Sequence, residues 1–201
     1  MQRYRDRTAL IVVDLQNDFA DPAGGLSVAG GDAIVPRVNA QIGAAVANGA
    51  TIVVTQDWHP ATTPHFAKDG GIWPVHCVAD TWGAELHPDV EVPGDALRVR
   101  KGANGEDGYS GFTMRDPVSG ETIPTELEAL LRERAVQRVV VVGLATDYCV
   151  KATALDAQRL GFATTVLTDA VAAVDLEPGD GERAIGEMAA AGVTVSRAGP
   201  D

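Results

Sequence analysis

Arg138-Val-Val-Val-Val-Gly-Leu144, running into Ala145-Thr-Asp-Tyr-Cys149-Val150, is the stretch that decides the fold. So continuous a β-branched run, closed by Gly and polar residues, predicts a strand buried on both faces, as in a parallel sheet covered by helices. Asp147 reads as the N-cap of a helix over 147–160, closed by Gly161. Cys149 would then stand in the first turn of a helix, at the carboxyl end of a central strand. Unpaired N–H groups and the helix dipole there favour a thiolate, the reactive form of cysteine. The same N–H groups could hold a developing oxyanion. Taken alone, Cys149 reads first as a small apolar residue packing a helix start, a reading that the rest of the chain must overturn.

Outward from this stretch, strands are predicted at Thr8–Val13, Thr51–Thr55, Ala96–Arg100, Ala163–Leu167 and Val193–Val195. Helices are predicted at Val35–Ala47, closed by Asn48-Gly49, at Pro124–Arg134, with Glu126 and Glu128 in its first turns, and at Gly181–Ala191. Strands alternating with helices give an α/β fold: three layers, α/β/α, with a mostly parallel six-stranded sheet and helices on both faces. Asp14, Asp57, Lys101 and Cys149 each stand just past a different predicted strand. Ligands of an open parallel sheet bind outside the carboxyl ends of its strands. Four chemically active groups, far apart in sequence, would therefore face one crevice.

Residues 58–93 show little periodicity and much Pro and Gly, and they hold all four histidines, His59, His65, His76 and His87. A loop this long in a compact domain is commonly functional. Asp57 and His59, in Asp-x-His spacing at the mouth of a strand, place two donors on one side of an ion, and His65 and His76 can return from the loop. Three imidazoles and a carboxylate suit one divalent transition metal ion: iron(II), manganese(II) or zinc(II). His87, before Pro88, has no such company and reads as surface or structural.

Composition narrows the function classes. The chain of 201 residues is 45% hydrophobic and 22% charged, enough for one domain, 1–201, with a sizeable core and the loop 57–95 inserted. With 28 acidic against 16 basic residues the net charge is −12, which argues against nucleic acid or an anionic membrane as partner. Arg3, Arg5 and Arg7 precede an apolar run, but it ends at Asp14, too short for a signal core or a membrane span. A cytoplasmic protein is expected. Cys77 and Cys149 read as separate thiols of a reducing compartment, Cys77 in a buried structural role.

The stretches Asp14-Leu-Gln-Asn-Asp18-Phe19, Gln56-Asp57-Trp-His59, His65-Phe66, Trp73-Pro-Val-His76-Cys77, Lys101-Gly102-Ala103, Tyr109-Ser-Gly-Phe112 and Gly143-Leu-Ala-Thr-Asp-Tyr-Cys149-Val carry a resemblance. The chain resembles the nicotinamidase/pyrazinamidase branch of the isochorismatase-like cysteine hydrolases. The resemblance implies an isochorismatase-like, Rossmann-like fold, and hydrolysis of nicotinamide to nicotinate and ammonia through a thioester, in salvage of NAD, with pyrazinamide as a second substrate. It implies Cys149 as nucleophile, Asp14 as general base and Lys101 as the cation beside them. It also implies a cis peptide between Leu144 and Ala145, with the Ala145 and Cys149 N–H groups as oxyanion hole. Asp57, His59 and His76 would bind the metal, with His65 as the fourth protein ligand. Phe19 and Trp73 would sandwich the pyridine ring, with Tyr109 or Tyr148 nearby. The Gly-rich, acidic segment Asn104–Gly108 and Tyr148 depart from the family pattern. Competing readings are another small-amide hydrolase of the superfamily, a hydrolase in which metal-bound water attacks, and a non-catalytic metal-binding or redox-sensing thiol protein. Monomer and homo-oligomer are both compatible with the sequence.

Overall fold

The computed structural model describes residues 3–198. In chain order the elements are β1 (Thr8–Val13), α1 (Asn17–Ala20), α2 (Val35–Ala47), β2 (Thr51–Asp57), β3 (Leu97–Lys101), β4 (Thr113–Arg115), β5 (Thr122–Pro124), α3 (Leu127–Glu133), β6 (Arg138–Leu144), α4 (Lys151–Arg159), β7 (Ala163–Ala172), α5 (Asp180–Ala190) and β8 (Thr194–Ser196). Six strands form one sheet in the order β3-β2-β1-β6-β7-β8, every pair parallel. The winding runs outward one way through β2 and β3 and the other way through β7 and β8. It therefore reverses between β1 and β6, where a crevice opens at the strands' carboxyl ends.

The alternation of side chains along each strand builds the layers. Leu10, Val12, Ile52, Val54, Val140 and Val142 point to the face covered by α2, whose Val35, Val38, Ile42 and Ala45 recur at helical spacing. Ala9, Ile11, Val13, Val53, Val139 and Val141 point to the other face, under Leu127 and Leu131 of α3, Ala154 and Ala157 of α4 and Met188 of α5. Every residue of β1 is buried, as a strand covered on both sides requires. Truncating a side chain such as Leu131 would cost about 2–5 kcal/mol. Gly143, at φ +110°, sits where β6 shifts register against β7, and a Cβ there would lie 2.1 Å from the Val13 carbonyl oxygen. Only glycine lets β6 lie this close to the end of β1.

Four expectations need correction. The helix predicted from Pro124 begins at Leu127, because Thr122–Pro124 pairs with Thr113–Arg115 as an antiparallel hairpin. The chain after β6 makes a π-helical turn, Thr146–Val150, before α4. Asp147 caps nothing in that turn; its carboxylate accepts the backbone N–H groups of Val174 and Asp175, at 3.0 and 2.9 Å, and ties the turn to the chain after β7. Asp57 and Lys101 are the last residues of β2 and β3 rather than the first beyond them.

The long segment after β2 is ordered by short pairings instead of regular elements. His59 bridges Val78 and Phe66 bridges Trp73, and single 3-10 turns form at Ala67–Asp69 and Trp82–Ala84. Gln16, fully buried, fastens the segment to the sheet: its amide donates to the Asp57 and Ala84 carbonyls at 2.7 and 2.9 Å and accepts from the Asp57 N–H at 2.8 Å.

Candidate active site

Asp14, with φ +45°, ends β1 in a left-handed turn that directs its carboxylate across the neighbouring strand ends. There the Thr55 hydroxyl donates to Asp14 Oδ1 at 2.6 Å, and the Lys101 ammonium lies 2.8 Å from Oδ2. Lys101 is 1% exposed, pairs also with Asp57 Oδ1, and points at Cys149 Sγ from 3.6 Å. Oxygens of Asp14 and Asp57 and the Cys149 sulfur all fall within 4.8 Å of one another. The four groups read from the ends of separate strands thus meet around one ammonium.

One buried cation cannot hold two carboxylates equally. Burial pushes both carboxyls up, but beside Lys101 and His59 the Asp57 carboxyl is held well below the usual range. Asp14, for which burial outweighs the pull of Lys101, is raised and is the better proton acceptor of the two. Burial works against the charge of Lys101, yet Asp14 and Asp57 more than offset it and raise its pKa. The expectation of a resting thiolate is corrected here: burial pushes the Cys149 thiol well above its ordinary value, and Lys101 offsets this only in part. A sulfur enclosed this way needs a base at hand, and Asp14 stands within reach.

Beside this cluster, His59, His65 and His76 bring ring nitrogens within 4.8 Å of one another. Asp57 Oδ2 lies 3.8 Å from His59 Nε2 and 3.9 Å from His76 Nε2. His76 uses Nδ1 on the Pro74 carbonyl and His65 uses Nδ1 on Asp107, both at 2.7 Å, leaving Nε2 of each as the ligand atom. Both nitrogens of His59 are buried without a protein partner, a costly condition unless an ion takes one of them. Gly102, at φ +81°, makes room for that ring, since a Cβ would lie 2.6 Å from His59 Nδ1. Burial lowers the His76 pKa to about 4, so the ring is in the neutral, ligating form near pH 7. Three imidazoles and one carboxylate, converging with spare lone pairs, fit one divalent transition metal ion.

Phe19, Trp73, Tyr109 and Tyr148 line a pocket together with Ala145, Cys149, Asp57, His65 and His76. Trp73 donates its indole N–H to the Tyr109 hydroxyl at 3.0 Å, and its ring meets Tyr148 edge-on at 4.9 Å. Phe19 packs on His76 at 5.3 Å. The Leu144–Ala145 peptide is cis. Both tyrosines, left as alternatives by the sequence, thus border the same space.

The isochorismatase domain family matches residues 8–199. The chain belongs to this family. Among its relatives, the nicotinamidase of Escherichia coli (strain K12) is 39% identical over 203 residues, covering 93% of each chain. The pyrazinamidase of Pyrococcus horikoshii, solved in complex with zinc, is 44% identical, with a TM-score of 0.85 over 95% of this chain and 99% of that one. An L. infantum protein solved in complex with nicotinate is 34% identical, with a TM-score of 0.87 over 98% and 96%. The isochorismatase fold expected from the sequence is the one observed.

Other residues at the site were not singled out from the sequence. Thr55, Gln16 and Asp107 support Asp14, Asp57 and His65. Gln16 lay within a recognised motif, a signal that could have found it; Thr55 and Asp107 carry no local signal. Cys77 is fully buried among apolar side chains, its sulfur 3.8 Å from the Gly83 carbonyl, as expected of a structural thiol. His87 is buried, and its Nδ1 accepts the Asp89 N–H at 3.3 Å. Among the described residues no helix is long and apolar enough to cross a membrane.

Proposed function

We propose that the protein is a metal-dependent cysteine amidohydrolase that converts nicotinamide to nicotinate and ammonia, and pyrazinamide to pyrazinoate. The observation that carries this reading is the meeting of Asp14, Lys101 and Cys149 with four metal donors over one aromatic-lined pocket. A flat heteroaromatic amide suits such a pocket, between Phe19 and Trp73 and beside Tyr109 and Tyr148. Asp57, His59, His65 and His76 hold the metal, which when bound supplies a Lewis-acidic point for the pyridine nitrogen and so orients the carboxamide.

Asp14 takes the thiol proton of Cys149 as the sulfur attacks the amide carbon. Lys101 steadies the two negative centres during that transfer. The N–H groups of Ala145 and Cys149 receive the oxyanion. On collapse the C–N bond breaks, Asp14 returns the proton to the departing nitrogen, and ammonia leaves behind a thioester. Asp14 then deprotonates water; the resulting attack breaks the C–S bond, releases nicotinate and restores the Cys149 thiol. We read residues 1–201 as a single hydrolase domain. The two buried free thiols suit the reducing cytoplasm.

Ammonia release from nicotinamide tests the reading, with protein stripped by a chelator and then reloaded with zinc, manganese or iron. Release that is lost on stripping and restored on loading is expected, with benzamide, which lacks the ring nitrogen, a poor substrate. No release with any of the three metals would overturn it.

A further inference from the structure

The Gly-rich, acidic segment Asn104–Gly108 reaches the metal site. Asp107 Oδ1 lies 2.7 Å from His65 Nδ1, and Asp107 Oδ2 accepts from Arg115 Nη2, also at 2.7 Å. Asp107 and Arg115 are backbone partners as well: the Asp107 N–H donates to the Arg115 carbonyl at 2.9 Å, and the Arg115 N–H donates back. The Gly108 N–H, on a residue at φ +137°, turns onto Asp107 Oδ1 at 2.8 Å. The carboxylate is thus aimed by four contacts before it meets the imidazole. Two residues on, Tyr109 takes the Trp73 indole N–H.

His65 and Trp73 are the two ends of one tight loop. Ala67 N–H donates to the Trp73 carbonyl at 2.7 Å, and at Gly71 a Cβ would lie 2.2 Å from the His65 carbonyl oxygen. Asp107 and Tyr109 therefore clasp both ends of the loop that carries one metal donor and one wall of the pocket.

We propose that Asp107 is the positioning residue for His65, held in turn by Arg115, so that the β4–β5 hairpin sets the fourth metal donor. The inference rests on the metal-site reading above. A carboxylate that accepts the Nδ1–H fixes the tautomer, leaves the Nε2 lone pair toward His59 and His76, and makes the ring a stronger donor. Without it the His65 ring can rotate or present the wrong nitrogen. Asp107 is about a quarter exposed, so the fold does not depend on burying it.

Zinc affinity, measured by competition with a chromophoric chelator on stripped protein, tests this for the wild type, Asp107→Asn, Arg115→Met, His65→Ala and the Asp107→Asn/His65→Ala double variant. Asp107→Asn is expected to weaken zinc binding roughly 10–100-fold while the melting temperature of the stripped protein stays unchanged. Arg115→Met should weaken it less, and Asp107→Asn should add nothing once His65 is gone. Tight binding by the wild type with equal affinity in Asp107→Asn would overturn the inference alone, as would the same loss with and without His65. A wild type that binds no zinc, manganese or iron would remove the metal-site reading and this inference with it.

Discussion

Asp57 and Lys101 are register partners across β2 and β3, and the Lys101 ammonium bridges from Asp57 to Asp14, with the Cys149 sulfur 3.6 Å away. One side chain therefore links the metal donors to the nucleophile. The link also makes the loss of Lys101 costly to the interior.

Lys101→Met leaves two buried carboxylates without a counter-charge, which costs about 3–5 kcal/mol and abolishes turnover. The pH dependence changes as well. In the wild type, Asp57 is held below its ordinary value, so its contribution to stability is present above about pH 4 and is lost as the pH falls further. In the variant the burial of both carboxyls is no longer countered by the ammonium, so Asp14 and Asp57 titrate higher than in the wild type and the variant's stability deficit narrows as the pH is lowered from 8 to 5. Urea unfolding of stripped protein across that range checks this; parallel profiles for the two proteins would contradict it.

Thr55→Val removes the hydroxyl that donates to Asp14 Oδ1. A hydrogen bond to a charged group is worth about 1.5–3 kcal/mol, and this one favours the ionised form, so Asp14 should titrate at higher pH in the variant. The acid limb of kcat/KM then moves upward, with kcat lowered about tenfold at neutral pH. An unmoved limb would mean that Asp14 is not the base seen in the profile.

His76, neutral in the fold down to about pH 4, takes up a proton on unfolding below its ordinary value of 6.5. The stability this gives is complete above pH 6.5 and is lost as the pH falls from there toward 4. Stripped protein should therefore lose stability through that window, and His76→Gln should flatten the loss. Added zinc should raise the melting temperature by mass action, less so at lower pH, because the ligand must be neutral.

The elements read correctly from the sequence are those with an unbroken apolar or periodic pattern. Thr8–Val13, Arg138–Leu144 and Val35–Ala47 match residue for residue. The β4–β5 hairpin escaped because Thr113–Arg115 and Thr122–Pro124 are short and half-exposed, without an alternating apolar face. Asp147 was misread because its partners, the Val174 and Asp175 N–H groups, lie far along the chain, and local pattern shows only a cap residue before a helix. The same limit divides the site. Asp14, Lys101, Cys149 and the histidines announce themselves by residue type and by place at strand ends or in one loop. Thr55 and Asp107 do their work through partners that only the folded chain supplies. The protonation state of Cys149 was likewise out of reach, since it turns on burial against one shared ammonium.

The central claim is that Cys149 attacks the amide carbon and carries the acyl group. Metal-loaded protein mixed with nicotinamide, quenched in acid within the first turnovers and digested for mass spectrometry, reads this directly. The account predicts one pyridinecarbonyl group on the peptide containing Cys149, absent in Cys149→Ala, which keeps its metal and releases no ammonia. Ammonia release at near wild-type rate from Cys149→Ala, with no adduct on any peptide, would contradict it.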